Sequence, residues 1–187
     1  MKKLILAAAL AGVSFASFAA DNYDLEPNHT FPRFAINHLG FSTFHGQFNK
    51  TSGTATIDTA KKTGSVDVTI DVSSVSTGVA KLDEHLQSPD FFNTAKYPTI
   101  TFKSTSFKFD GDKLDKVTGD LTLLGVTKPV TLDVEHFVCK DHPMTKKPAC
   151  GADLEGKIKR SDWGMTTYVP AVGDEVELSI EVEAIKK

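Results

Sequence analysis

The sequence predicts an all-β protein, folded as a single antiparallel β-barrel of about eight strands with one short helix. Three observations lead to this prediction. Apolar and polar residues alternate over many short segments, turns rich in glycine and aspartate separate those segments, and one segment alone has helical spacing. A meander of antiparallel strands has two unpaired edges, and closure into a barrel hides both of them.

Alternation of period two is the strongest local signal in the chain. In residues 66–72, 130–134 and 176–182, a valine, isoleucine or leucine stands at every second position. This pattern is typical of strands with one face buried, so Val68 and Leu132 are expected to point inward and Asp67 and Asp133 outward. Shorter versions occur at residues 34–36, 100–102, 107–109 and 121–123.

Residues 77–87 break the alternation. Leu82 and Leu86 stand at helical spacing with charged residues between them, and Ser88-Pro89 ends the segment. We therefore predict a short helix here, followed by Phe91 and Phe92 folding back onto the core.

Residues 1–19 have the features of a cleavable signal peptide. Lys2 and Lys3 precede an apolar stretch rich in alanine and leucine, and Ser17-Phe18-Ala19 favours cleavage after Ala19, with cleavage after Ala20 as the alternative. Residues 20–187 have the size of one domain, and none of their apolar runs is long enough to span a bilayer. The expected location is the periplasm or the exterior of the cell.

The charge of the chain argues against nucleic acid as a partner. Without Lys2 and Lys3, 19 basic residues stand against 24 acidic residues, and no basic run is present. Binding to phosphates needs a concentrated basic surface, which this composition does not supply.

Cys139 and Cys150 are the two cysteines of the sequence. In an oxidising compartment, two cysteines separated by a short polar loop are expected to form a disulfide bond. The alternative is a metal site in which His136 or His142 joins the two thiols. We expect no metal, because the chain has no CxxC or HxH spacing typical of zinc sites.

The inward positions outline a pocket inside the barrel. If Phe34 and Ile36 point inward, His38 shares their face, and Arg160 shares the face of Ile158 in the same way. A lumen lined by aliphatic and phenylalanine side chains, with a few polar groups near strand ends, is typical of a binding site for an apolar ligand.

Two features of the pattern remain open to another interpretation. Thirteen phenylalanines can fill a barrel of eight strands completely, which would make the protein a structural barrel without a ligand. Arg160 can serve as a structural ion-pair partner of Asp162 or Glu155.

His136 continues the row formed by residues 130–134, so it is expected to face inward.

The sequence carries no recognised catalytic signature. It lacks a G-x-S-x-G elbow, a phosphate-binding glycine loop, an HExxH motif and a dinucleotide fingerprint. Asp83, Glu84 and His85 are consecutive, so they diverge on a helix and do not form one catalytic cluster. We therefore predict a binding protein rather than an enzyme. An enzyme acting on a lipid is the remaining alternative.

Several segments in order along the chain resemble a known family. They are Tyr23-Asp24-Leu25 with His29, Phe34-Ala35-Ile36-Asn37-His38-Leu39-Gly40, Gly46-Gln47-Phe48, Asp83-Glu84-His85-Leu86, Ser88-Pro89-Asp90-Phe91-Phe92, Tyr97-Pro98-Thr99-Ile100-Thr101-Phe102, Gly119-Asp120-Leu121-Thr122-Leu123-Leu124-Gly125 and Arg160-Ser161-Asp162-Trp163-Gly164-Met165. Together they resemble the YceI family of periplasmic lipid-binding proteins, across essentially all of residues 20–187.

The resemblance implies a lipocalin-like barrel around a long channel that holds a polyisoprenoid chain or a prenylated quinone of the ubiquinone type. No cofactor is expected apart from this bound lipid. Transient contact with a membrane during lipid exchange is expected, and a homodimer is an open alternative to a monomer.

We assign Tyr97, His38 and Arg160 to the polar end of the ligand. The candidate ligand-binding residues are Phe34, Ile36, His38, Phe44, Phe48, Val68, Ile70, Leu82, Leu86, Phe91, Tyr97, Ile100, Phe102, Leu121, Leu132, Val134, Ile158, Arg160, Trp163 and Leu178.

Overall fold

The computed structural model describes residues 20–187, in which eleven strands and one α-helix form. The predicted signal peptide lies outside the described residues and stays a prediction. The strands are β1 (Asp21–Leu25), β2 (Phe31–His38), β3 (Ser42–Phe48), β4 (Thr51–Asp58), β5 (Thr63–Asp71), β6 (Val75–Ser76), β7 (Thr99–Asp110), β8 (Lys113–Leu123), β9 (Val126–Asp141), β10 (Pro148–Lys159) and β11 (Val172–Lys186), and the helix is α1 (Ala80–Leu86).

Six of the strands are halves of longer ones, so the sheet is an eight-stranded barrel. A 3-10 turn at Pro27–His29 separates β1 from β2, and another at Val72–Ser74 separates β5 from β6. β3 and β4 are likewise one strand with a bend between them, since β3 pairs with β2 and β6 while β4 pairs with β1 and β5. β11 pairs with β10 on one side and with β1 and β2 on the other, which closes the barrel. The predicted antiparallel eight-stranded barrel with a short helix is confirmed.

The two ends of the barrel differ in what covers them. One end, which we call the mouth, carries the β2–β3 hairpin tip, α1, the turn between β8 and β9, and the loop of residues 164–171. The other end, which we call the base, carries the β4–β5, β7–β8 and β9–β10 turns.

Outward-facing charged side chains form ion pairs across neighbouring strands. Lys116 on β8 pairs with Asp133 on β9, and Lys157 on β10 lies 3.1 Å from Glu177 on β11. Such exposed pairs contribute little stability, but they show which face of each strand is turned to solvent. The alternation in the sequence therefore assigns the outer face of these strands.

A β-bulge in β9 changes the register that the sequence suggested. Leu154 lies opposite Val134 and Asp153 lies opposite His136, so Glu135 is an extra residue in β9. The bulge reverses the alternation beyond it, leaving His136 exposed and turning Phe137 inward. The prediction that His136 continues the inward row is wrong for this reason.

A disulfide bond joins Cys139 on β9 to Cys150 on β10, next to the base, as predicted. His142 does not join it, because its Nδ1 accepts hydrogen bonds from the backbone N–H groups of Met144 and Thr145, 3.2 Å away in each case. Within residues 20–187, no group of histidine, cysteine or acidic residues is arranged to hold a metal ion. No helix in this part of the chain is long and apolar enough to cross a membrane.

Candidate functional site

The interior of the barrel is a cavity of about 480 Å³ with a predominantly apolar wall. Binding sites for small molecules generally measure roughly 300–1,000 Å³, so this volume is that of a ligand site. The barrel is therefore not filled by its own side chains. Typical wall residues of the strands are Phe34, Ile57, Val68, Ile70, Ile100, Phe102, Phe107, Leu114, Leu132, Phe137, Ile158, Leu178 and Val182.

The cavity extends along most of the barrel. On β11 its wall runs from Val172, next to the mouth, to Ala184, next to the base. Twelve residues of extended chain span roughly 40 Å. A strand tilt of about 40° reduces this to roughly 30 Å along the barrel axis. The shape is that of a long, narrow channel.

The phenylalanines leave the channel open because several of their rings lie flat over glycines of a neighbouring strand. A Cβ atom on Gly46 would stand 2.3 Å from Cζ of Phe34, so the ring occupies the space where a side chain would be. Such a ring covers the wall instead of projecting into the lumen. Three pairs have this geometry: Phe34 with Gly46, Phe102 with Gly119, and Phe107 with Gly64.

Aromatic and polar side chains meet at the mouth. The ring of His85 on α1 lies 5.0 Å from that of Phe91 and 6.5 Å from that of Tyr168, measured between centroids. At the end of β2, the ring of His38 lies 5.7 Å from that of Phe44. His38, His85 and Tyr168 are exposed as well as lining the cavity, so the channel opens here. The mouth offers hydrogen-bonding groups at the end of an apolar channel.

A local hydrogen-bond pair fixes the helix that forms one side of the mouth. Oδ1 of Asp83 accepts hydrogen bonds of 2.7 Å from the backbone N–H and from the hydroxyl of Thr77. The pair ties the first turn of α1 to the segment that precedes it, although the N-cap residue Val79 makes no side-chain cap hydrogen bond. Leu82, His85 and Leu86, which share one helix face, consequently line the cavity.

Arg160 holds the 164–171 loop of the mouth against the barrel. Its Nε donates to the carbonyl oxygen of Gly173 at 2.8 Å, and one terminal nitrogen donates to that of Met165 at 3.1 Å. The other terminal nitrogen donates to Thr167 at 2.9 Å and to Val172 at 3.1 Å. Arg160 is 3% exposed, and four of its five N–H donors are used by the backbone. The structure thus gives Arg160 a positioning role. Arg160 also lines the cavity, and its predicted contact with the ligand stays a prediction.

The surroundings of Arg160 also differ from the predicted ion pair. Asp162 lies 3.9 Å from Nζ of Lys128, and the nearest acidic influence on Arg160 is Asp174. Burial lowers the pKa of Arg160, and the negative charge of Asp174 opposes that shift. Asp174 accepts hydrogen bonds from the hydroxyl and the backbone N–H of Ser161, which lower the pKa of its carboxyl group.

A profile of YceI-like domains matches residues 23–184, nearly the whole described chain. The chain belongs to the YceI-like domain family. Protein YceI of Escherichia coli O157:H7 is 46% identical to it over 192 residues, which covers 100% of both chains.

Solved structures agree with this membership. The YceI protein of Campylobacter jejuni superimposes with a TM-score of 0.71 at 32% identity, covering 100% of this chain and 99% of that one. A polyisoprenoid-binding domain from Saccharophagus degradans, implicated in plant cell wall breakdown, has a TM-score of 0.66 at 17% identity and covers 90% and 100% of the two chains. The latter likeness is one of fold.

In this YceI barrel, all but three of the predicted ligand-binding residues line the cavity. Tyr97 lies outside it, over Gly125 and 5.0 Å from Nζ of Lys96. Trp163 is buried in the core, where its Nε1 donates to the carbonyl oxygen of Leu121 at 3.2 Å. Val134 is also buried in the core next to the bulge. Contact of the cavity residues with a ligand stays a prediction.

Among the cavity residues that were not predicted to bind the ligand, His85, Phe137 and Tyr168 are the most informative. His85 stands three positions after Leu82, a helical spacing that could have placed it on the same face. Phe137 was hidden by the bulge at Glu135. Tyr168 lies in an irregular loop without periodicity, so no sequence signal identified it.

Proposed function

We propose that this YceI-family protein binds a long-chain isoprenoid lipid, such as a polyprenyl compound or a prenylated quinone, and carries or stores it in the periplasm. The observation that supports this proposal best is the long apolar channel with polar groups at one end. A ligand with an extended apolar chain and a single polar end group matches that distribution.

The position of the polar side chains gives the ligand an orientation. His38, His85 and Tyr168 stand at the mouth, whereas the lower wall is formed by residues such as Ile57 and Phe107. The polar end of the ligand therefore lies at the mouth and its chain extends towards the base. A neutral imidazole or a phenol can donate one hydrogen bond to a quinone carbonyl or a phosphate oxygen.

The energetics favour exchange with a membrane over capture from water. Moving some forty carbons out of water gains tens of kcal/mol, at roughly 0.8 kcal/mol per methylene. That exceeds the ceiling of about 18–21 kcal/mol for non-covalent complexes. A bilayer is already apolar, so transfer from it into the barrel involves a small net free energy. Selectivity then depends on the length of the channel and on the groups at its mouth.

The comparisons make isoprenoids the first class to test. The Saccharophagus degradans domain, which shares the fold, is named as a polyisoprenoid-binding domain. Family membership supports a binding function, since residues 20–187 offer an apolar channel and no cluster of metal-ligating side chains. We accordingly propose a binding protein and not an enzyme.

Extraction of the purified, exported protein with organic solvent tests the proposal. Mass spectrometry of the extract is expected to find an isoprenoid lipid in near-stoichiometric amount. The stripped protein should then bind ubiquinone-8 or an octaprenyl alcohol, and Leu132→Trp, which fills the channel, should bind less of either. Thr131→Trp, on the outer face of the same strand, is the matched control. A stripped protein that binds neither lipid would contradict the proposal.

A further inference from the structure

We propose that the mouth of the barrel docks on the surface of a lipid bilayer, with the β2–β3 hairpin tip entering the interface. The proposal rests on the function proposed above, because the ligand of such a carrier resides in membranes. It adds the surface that meets the membrane and the residues that enter it.

The tip carries the most exposed apolar side chain of the described residues. Phe41 is 90% exposed and Leu39 is 50% exposed, and the neighbouring Tyr168 is 57% exposed. The backbone N–H of Leu39 donates to the carbonyl oxygen of Ala171 at 3.0 Å, which holds the tip against the loop that carries Tyr168. Since Tyr168 also lines the cavity, the exposed apolar surface continues into the channel.

The backbone conformation of the tip is one in which an apolar residue such as leucine is uncommon. Leu39 and Gly40 have φ angles of 57° and 74°, as in the tight hairpin turns where asparagine and glycine are favoured. A leucine in this conformation is strained and, when exposed, gains nothing from packing. At the base, Lys62 and Lys146 occupy turn positions with similar φ angles of 55° and 59°. The mouth thus carries an apolar side chain where the base carries lysine.

Two segments at the mouth, the β2–β3 hairpin and the 164–171 loop, are free of charge, whereas α1 carries Lys81, Asp83 and Glu84. Residues 34–49 and 163–173 contain no Asp, Glu, Lys or Arg, although 24% of the whole chain is charged. Charged groups oppose entry into the apolar part of a bilayer, while aromatic side chains favour the interface. An uncharged tip with an exposed phenylalanine is therefore suited to a lipid surface.

A second copy of the chain fits this surface less well. Leu39, Phe41 and Tyr168 together offer roughly 400 Å² or less of exposed side-chain area, because a whole aromatic side chain covers about 150–250 Å². A stable protein interface needs about 800 Å² from each partner. A protruding tip of this size fits insertion between lipid head groups, for which no second protein surface is required.

A tryptophan placed at the tip reports on docking directly. With vesicles of phosphatidylcholine alone, Phe41→Trp is expected to give a blue-shifted emission that brominated lipids quench. Met144→Trp, at a position 85% exposed on the base, is the matched control and is expected to change little. Trp163, the one natural tryptophan, is buried and supplies a constant background in both proteins.

A second variant separates docking from ligand binding. Leu39→Asn with Phe41→Ser should reduce flotation with the vesicles by about tenfold or more, since burial of a phenylalanine and a leucine is worth at least that. Asn suits the turn, and neither residue lines the cavity, so melting temperature and extracted lipid should stay unchanged. Slower uptake of ubiquinone-8 from vesicles, with unchanged final occupancy, is the expected functional result.

Three results would overturn the docking proposal. The first is equal flotation of the double variant and the wild type, and the second is equal quenching of Phe41→Trp and Met144→Trp. The third is a wild type that does not bind vesicles but forms a dimer, with the double variant remaining a monomer. The last result would assign the tip to a second copy. A protein that floats with vesicles but yields no extracted lipid and takes up no ubiquinone-8 would contradict the proposed function and leave the docking surface standing.

Discussion

The mouth and the base of this barrel are built with different chemistry on the same strands. At the base, charged side chains pair within and between the turns: Lys61 lies 2.9 Å from Asp58, and Lys62 lies 3.0 Å from Asp112. A disulfide bond joins two neighbouring strands there. At the mouth, Arg160 donates hydrogen bonds to the backbone of an irregular segment, and the hairpin tip exposes the apolar side chains of Leu39 and Phe41.

Because the two ends differ in this way, we expect the base to affect the stability of the barrel and the mouth to affect ligand exchange as well. Changes at the base are expected to lower the free energy of unfolding and leave the channel as it is. Changes at the mouth act on the segments through which a ligand enters, so they affect both properties. Variants at the two ends can therefore test whether the division holds.

Replacement of Arg160 should have the largest effect. Arg160→Ala leaves the carbonyl groups of the mouth without their donor, and it should lower the free energy of unfolding by about 3–5 kcal/mol, since each hydrogen bond from a charged donor is worth roughly 1.5–3 kcal/mol and such losses are not additive. Arg160→Lys should restore little, because an ammonium group cannot reproduce the planar fork of donors. Urea denaturation measures both effects.

The control for Arg160 stands three residues earlier on β10. Lys157 pairs with Glu175 and Glu177 on the exposed outer face, so Lys157→Ala should lower the free energy of unfolding far less than Arg160→Ala does. Arg160→Ala could instead lose no more stability than Lys157→Ala and bind ubiquinone-8 more weakly than the wild type. That result would assign Arg160 the ligand-contacting role that the sequence suggested.

Removal of the disulfide bond tests the base. The two cysteines are 11 residues apart, and a closed loop of this size should contribute about 3 kcal/mol in the chain-entropy model. Replacing Cys139 and Cys150 by alanine should lower the melting temperature. Cys150 lines the lower part of the cavity, but alanine is smaller and leaves that wall open, so the amount of extracted lipid should stay the same. Thiol titration of the denatured wild type should find no free thiol. Loss of bound lipid without loss of stability would break the proposed division between the ends.

A smaller effect is expected from a change in the wall between the two ends. Gly46→Ala places a Cβ atom against the ring of Phe34 and pushes that ring towards the lumen. It should cost about 1–3 kcal/mol, as overpacking generally does, and should reduce binding of ubiquinone-8. Gly151→Ala is the control on the outer face of β10, since its Cβ would lie beside Glu183 and 3.7 Å from the nearest atom, the carbonyl oxygen of Val182. Equal lipid binding by both variants would show that the Phe34 ring does not keep the channel open.

The regular strands of this fold were predictable from the sequence, and the irregular segments were not. Alternation identified β5 and β11 and the inward direction of Val68 and Leu178, because one register fixes a whole strand. The same rule failed after Glu135, where one extra residue reverses the pattern. Whether the phenylalanines fill the barrel or line it depends on ring orientation over glycines of other strands, which a single-strand pattern does not contain.

The residues of the candidate site were likewise predictable on regular strands and not in irregular segments. Residues on strands, such as Ile70 and Leu132, were placed correctly on the wall. Of the three residues assigned to the polar end of the ligand, His38 and Arg160 line the cavity and Tyr97 does not. Tyr97 lies outside the channel, and Arg160 binds its own backbone. Both stand next to irregular segments, where tertiary hydrogen bonds decide the conformation and local periodicity gives no information.

Lowering the pH is expected to have the smallest effect on stability, and this effect tests the mouth specifically. Hydrogen bonds from Ser161 hold the pKa of Asp174 below its ordinary value of 3.8 in the folded protein, and the charge of Arg160 adds to the shift. Below about pH 4 the unfolded chain binds more protons than the folded chain at this group, so the stability it supplies at neutral pH is lost as the pH falls through the folded pKa. Asp174→Asn, which cannot titrate, should show a shallower loss of stability between pH 5 and about pH 3.

Asp58 at the base is the matched control for this test, because hydrogen bonds from Lys61 lower its pKa as well. Asp58→Asn should also reduce the dependence of stability on pH. The two variants should differ in release of bound ubiquinone-8. If Asp174 holds the mouth closed, acid should release lipid from the wild type and from Asp58→Asn at a higher pH than from Asp174→Asn. Release at the same pH in all three proteins would mean that the mouth opens only when the whole barrel unfolds.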